Sequence, residues 1–134
     1  MTQRTFKITL LSCISAIGLT ACSALSTQNN GTQTLQQVKN IGATPSTEGN
    51  MAKLSKQDQH CNIEFTGYFD GGQAVEHWRF DQNGLISASS TTQHYQDKTL
   101  AQPATAFDVQ DATVQANFHK LQSNFSTDKL AQCH

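Results

Sequence analysis

Five histidines, a run of hydroxyls and four cysteines are the residues here whose types could do chemistry. His60 and His134 each adjoin a cysteine, Cys61 and Cys133. A bridge between those cysteines would hold the two histidine backbones within roughly 10 Å, since bridged Cα atoms lie about 5 to 6 Å apart. Two imidazoles so placed could share a copper or zinc ion. Neither a His-x-His nor a His-x₃-His spacing occurs, which leaves them weak metal candidates. The expectation is two solvated histidines and no bound cofactor. His77, Glu76 and the hydroxyls Ser87, Ser89, Ser90, Thr91 and Thr92 include the residue types of a hydrolase, but no Gly-x-Ser-x-Gly turn surrounds any serine. His77, Glu64 and Arg79 fall on the outward face of strands, where polar residues belong in any case. The chain therefore reads as a protein without catalytic residues. On that same outward face Tyr68 and Val75 are expected opposite one another with Tyr95 nearby, a modest exposed patch suited to a partner.

The elements that must position these residues are legible as alternation and helical spacing. Asn62 to Phe69 places Ile63, Phe65 and Phe69 on one face and Glu64, Thr66 and Tyr68 on the other. Asp70-Gly71-Gly72-Gln73 then supplies a hairpin turn with Gly71 and Gly72 at its centre. That register sets Phe65 opposite Trp78, Ile63 opposite Phe80 and Glu64 opposite Arg79. A second turn at Gln82-Asn83-Gly84, with Gly84 left-handed and a bulge, sets Asp81 opposite Leu85 and turns Ile86 and Ala88 to the core face. The third strand runs to about Tyr95. A loop follows around Gln102 and Pro103, then a short strand within 105–109. Asp111 is a suitable N-cap, and Val114, Phe118, Leu121 and Phe125 fall at spacings of 4, 3 and 4. This predicts a helix over 111–126 whose stripe covers the Phe65, Trp78 and Phe80 face.

Residues 23–50 are rich in Ser, Thr, Gln, Asn and Gly, too poor in large apolar groups to offset their ordering entropy. Leu35, Val38 and Ile41 stand three apart, which predicts a short helix over 34–41 stopped by Gly42 and Pro45. The expected organisation is a leader over 1–21, a flexible tether over 22–58, and a globular domain over 59–134. The fold class is α+β, an antiparallel meander of three to four strands packed by one C-terminal helix.

The leader has three parts. Residues 1–7 carry Arg4 and Lys7, residues 8–19 are apolar or small, and Leu19-Thr20-Ala21-Cys22 follows. The apolar run is too short to span a bilayer, which needs roughly 20 residues, but it suits a signal peptide. Its end resembles the lipobox of bacterial lipoproteins. The resemblance implies cleavage before Cys22, acyl chains on that cysteine, and, with Ser23 following it, an outer-membrane address on the periplasmic face. More than one chain is what stable anchoring needs, and no second apolar stretch is long enough to span a bilayer. Removing 21 residues leaves 113, with seven basic and ten acidic side chains and a formal charge of about −3. That charge and the absence of a basic stripe argue against nucleic acid. With Cys13 lost and Cys22 lipidated, Cys61 and Cys133 remain to form one disulfide in an oxidising compartment.

The domain also resembles, at a few places, the membrane-bound inhibitors of c-type lysozyme. Cys61 and Cys133 bracket the domain, Ser87-Ala88-Ser89 precedes Tyr95, and Asp111-Ala112-Thr113-Val114 precedes the last cysteine. Ser90 stands where that family has glycine. The resemblance implies a β-barrel that inhibits a peptidoglycan-degrading enzyme. Val38 through Pro45, followed by Trp78-Arg79-Phe80-Asp81, is similar in order to the small lipoproteins that support outer-membrane barrel assembly. Neither resemblance carries over a functional residue. The expectation is a lipid-anchored periplasmic accessory protein that binds another envelope component, with the inhibitor as the alternative.

Overall fold

A computed structural model describes residues 31–43, 46–96 and 103–134. The leader, Cys22 and the tether up to residue 30 lie outside these. Six strands follow in chain order: β1 Thr32–Lys39, β2 Met51–Gln57, β3 His60–Phe69, β4 Gly72–Asp81, β5 Gly84–His94 and β6 Thr105–Ala106. Each pairs antiparallel with the next, so the meander is one sheet, and β1 and β6 stand at opposite edges. The sheet is open, unlike the barrel implied by the lysozyme-inhibitor resemblance. Helix α1, Ala112–Gln122, follows, then the short α2, Thr127–Leu130, and a single 3-10 turn, Ala131–Cys133.

Period-two alternation decides which face is buried. Ala52 and Leu54 from β2, Ile63 and Phe65 from β3, Trp78 and Phe80 from β4, and Ala88 from β5 all turn to one side and are buried. The α1 stripe seals that side. Trp78 stacks on Phe118 with ring centroids 6.2 Å apart, and Phe80 meets Phe118 edge-on at 5.2 Å. Asp111 caps α1 by accepting from the backbone N–H groups of Thr113 and Val114 at 2.8 and 3.1 Å.

The sheet has six strands rather than the three to four expected. Helix α1 ends at Gln122 rather than at residue 126, because the Ser123 hydroxyl and the Asn124 amide take the Lys120 and Leu121 carbonyls, so that Phe125 is buried from the turn beyond the helix. Further details differ, each for a physical reason. The β3–β4 turn is Asp70-Gly71, with Gly71 at φ +84°, so the register is shifted by two residues. Ile63 therefore opposes Trp78, Cys61 opposes Phe80 and Glu64 opposes His77. A shift of two keeps every side chain on its expected face. At the next turn Asp81 pairs with Gly84, and the bulge falls at Ile86. Leu85 then packs against the core while Ile86 is exposed.

The last correction is larger. Residues 34–41 form no helix, and sheet structure begins at Thr32 rather than at residue 59. A spacing of three would send Leu35 and Val38 to opposite faces of a regular strand. The register slips at Leu35, between Thr34 and Gln36, and that bulge lets both residues pack against the core. Ile41 and Ala43 are buried as well. Asn50 holds their loop in place: its Oδ1 accepts from Ile41 N at 2.7 Å, and its Nδ2 donates to Ile41 O at 3.0 Å.

Glu76 sits at the margin of the covered face, beside Phe65, Trp78 and Leu121. Its Oε2 accepts the Trp78 indole N–H at 2.9 Å. Burial pushes its carboxyl above the usual carboxylate range, with the indole hydrogen bond opposing. A carboxyl raised on folding binds its proton more tightly folded than unfolded, so its ionisation costs stability as pH rises past the unfolded value. Glu76→Gln keeps an oxygen for the indole and is expected to raise the denaturation midpoint at neutral pH. The gain should vanish below about pH 4, where the carboxyl is protonated in both states. Urea titrations at the two pH values check this, and an equal gain at both would refute it.

Candidate functional site

One helix covers one face, and among the described residues no element packs on the other face of β1–β4. Its residues stand in rows across the strands. Thr34, Ser55, Asn62 and Arg79 make one row. Beside it runs a row of Lys53, Glu64 and His77, where Lys53 Nζ lies 3.1 Å and His77 Nδ1 3.9 Å from the Glu64 carboxylate. On the other side are Gln57 and His60, next to the Asp58-Gln59 turn. These rows enclose a depression of about 490 Å³. Ser55 on its floor is only 6% exposed although it lies on the open face. Arg79 has no carboxylate within ion-pair distance among the described residues. Its Nη2 lies 3.3 Å from His60 Nδ1, within reach for a guanidinium N–H to donate to the ring nitrogen.

The sheet has two distinct ends. The β2–β3 and β4–β5 turns, the start of β1 and the disulfide share one end. Cys61 and Cys133 are joined there, with Cα atoms 5.5 Å apart and both residues buried. The C-terminal turn is also held by Lys56 Nζ, which donates to Gln132 O. His60 and His134 line a single cavity of about 290 Å³ at this end, with Asp58 and Asp81. Among the described residues no three His, Cys, Asp or Glu side chains gather closely enough to hold a metal ion.

At the opposite end lies the expected partner patch. Tyr68 opposes Gln73, and Val75 opposes Thr66, so the two are diagonal neighbours on the open face rather than directly paired. Gln73 reaches across to Gln93 at 3.3 Å, and Tyr95 N donates to Gly71 O at 2.9 Å, which fixes Tyr95 beside the hairpin turn. Tyr68 and Tyr95 are 38% and 48% exposed, and Val75 is half-buried. Phe69, expected in the core, is 40% exposed at the same tip and rests edge-on against His94 at 5.6 Å.

The depression had no counterpart in the sequence reading, because β1 and β2 supply half of it. The alternation Ala52, Leu54 against Lys53, Ser55, Gln57 was the signal that could have found it. The chain matches no protein-family model, no curated protein and no solved structure.

Replacing Cys61 and Cys133 together by alanine is expected to cost about 4 kcal/mol, from a loop of 72 residues in the chain-entropy model. Urea unfolding of the oxidised chain and the double variant measures it. A difference under about 1 kcal/mol would show that the C-terminal turn is held without the bridge.

Proposed function

We propose that this chain is a lipid-anchored, non-catalytic protein of the periplasmic face of the outer membrane that docks another envelope protein through Tyr68, Val75 and Tyr95. One observation carries the reading. Tyr68, Phe69 and Tyr95, three of the four large apolar residues exposed among the described residues, gather at one end of the sheet. Aromatic side chains are enriched where proteins meet, because they bury much area at little rotamer cost.

The position of the patch fits an anchor at Cys22. β1 begins at the disulfide end, where Thr32 pairs with Gln57. The ten residues from Cys22 to Thr32 reach at most about 35 Å. A chain held there enters at one end of the sheet and presents the aromatic end on the far side.

Photo-crosslinkers placed in cells at Tyr68, Val75 and Tyr95, with Asn83 at the other end as control, test the docking. A dominant protein adduct from the first three and none from Asn83 is expected. Adducts no stronger than those at Asn83 would remove the patch from consideration. Cys22→Ala should move the chain to the soluble fraction and abolish the adduct, and continued membrane association would contradict the lipid anchor.

A further inference from the structure

A polar outward face is ordinary in an antiparallel sheet. The open face of β1–β4 has more shape than that. The row Thr34, Ser55 and Asn62 is short-chained, and longer side chains stand on both sides of it. Lys53 and Gln57, which mark the two sides on β2, are four residues apart, so the walls are about 13 Å apart along the strand. Across four strands the trough runs about 14 Å. Ser55 Oγ donates to the Asn62 backbone carbonyl at 3.4 Å and so offers a ligand its acceptor lone pairs, while the Thr34 hydroxyl and the Asn62 amide can both donate and accept. The side chains lining the trough include no Leu, Ile, Val, Met, Phe, Tyr or Trp to seat an apolar group, and its only aromatic rings are the polar imidazoles of His60 and His77.

Charge is distributed unevenly along the trough. Glu64 is neutralised by Lys53, with His77 alongside. Asp58 lies in the turn at the outer end. Arg79 closes the floor row, aligned by His60 and without a carboxylate partner among the described residues. A guanidinium presents paired N–H donors that match a carboxylate in geometry and charge.

We propose that this trough binds a saccharide bearing a single carboxylate, its hydroxyl and amide groups lying along Thr34, Ser55 and Asn62 and its carboxylate on Arg79. The site is separate from the aromatic end and stands on different residues, so it does not depend on the docking proposed above. With no apolar wall, affinity comes from hydrogen bonds and one ion pair and lies in the millimolar range.

The test is a nitrogen-15 NMR titration of the purified chain, tether included. The two probes are the disaccharide of N-acetylglucosamine and N-acetylmuramic acid, and N,N′-diacetylchitobiose, which lacks the lactyl carboxylate. Saturable shifts at the amides of Thr34, Ser55, Asn62 and Arg79 are expected, with the acidic sugar bound about tenfold more tightly. Arg79→Gln should erase that preference, while Lys129→Gln, which removes one positive charge on the other side of the sheet, should leave it intact. No saturable shifts with either sugar at millimolar concentration would overturn the proposal, as would shifts confined to another region. Equal binding of the two sugars, or a preference that survives in Arg79→Gln, would overturn the carboxylate assignment to Arg79. Crosslinking at Tyr68 and Tyr95 is unaffected by any of these outcomes, so the two ideas fail separately.

Discussion

The contact between Trp78 and Phe118 is where the sheet and its cover meet, and the remaining geometry is arranged around it. Trp78 stands mid-strand between Ile63 and Ala88 on neighbouring strands. Its indole faces Phe118 on one side and Phe107 at 5.5 Å, and it donates its only polar hydrogen to Glu76. Such a ring pair contributes about 0.5–1.5 kcal/mol beyond the area it buries. Its larger effect is to set α1 over the centre of the sheet. An eleven-residue helix cannot cover six strands, so the loop carrying Ile41 and Ala43 and the C-terminal turn with Cys133 complete the cover at its edges.

Sealing one face in this way leaves the other in water, and the strands adjust to that division wherever the sequence does not alternate evenly. The bulge at Leu35 and the bulge at Ile86 reach one result by one mechanism. The first brings two apolar residues of odd spacing onto the covered side. The second expels Ile86 so that Leu85 and Ala88 can both face inward. A bulge and Lys39 on β1 also make that edge a poor template for pairing with another chain.

Much of this was legible in the sequence, and the failures have identifiable causes. The helix from its Asp111 cap through Phe118 and Leu121, the strands β3 to β5 and the Cys61–Cys133 bridge follow from periodicity, capping and cysteine counting. The two-residue register shift did not, because Asp70-Gly71 and Gly71-Gly72 are both acceptable turns and either one preserves the faces. β1 was missed because a bulge turned a strand into a spacing of three, which mimics a helix. β2 was missed because Ser, Lys and Gln alternate there with only Ala52 and Leu54. Since those two strands form half of the open face, the trough was hidden with them. Tyr68 and Tyr95 are exposed as parity and position predict, whereas Val75 is half-buried, and Phe69, inward by parity, lies beyond the edge of the helical cover.

The sheet has one covered face and one open face, and solvent access to the two can be measured together. In an NMR experiment with a soluble gadolinium chelate, the single tryptophan reports the covered side through its indole N–H. The Asn62 side-chain amide and the His77 ring protons report the open side. Strong relaxation enhancement is expected at Asn62 and His77, with an enhancement at Trp78 as low as at the buried Phe118 ring. Equal enhancement at Trp78 and His77 would contradict this division, because the helix would then not be seated on the sheet and neither face would be the one described.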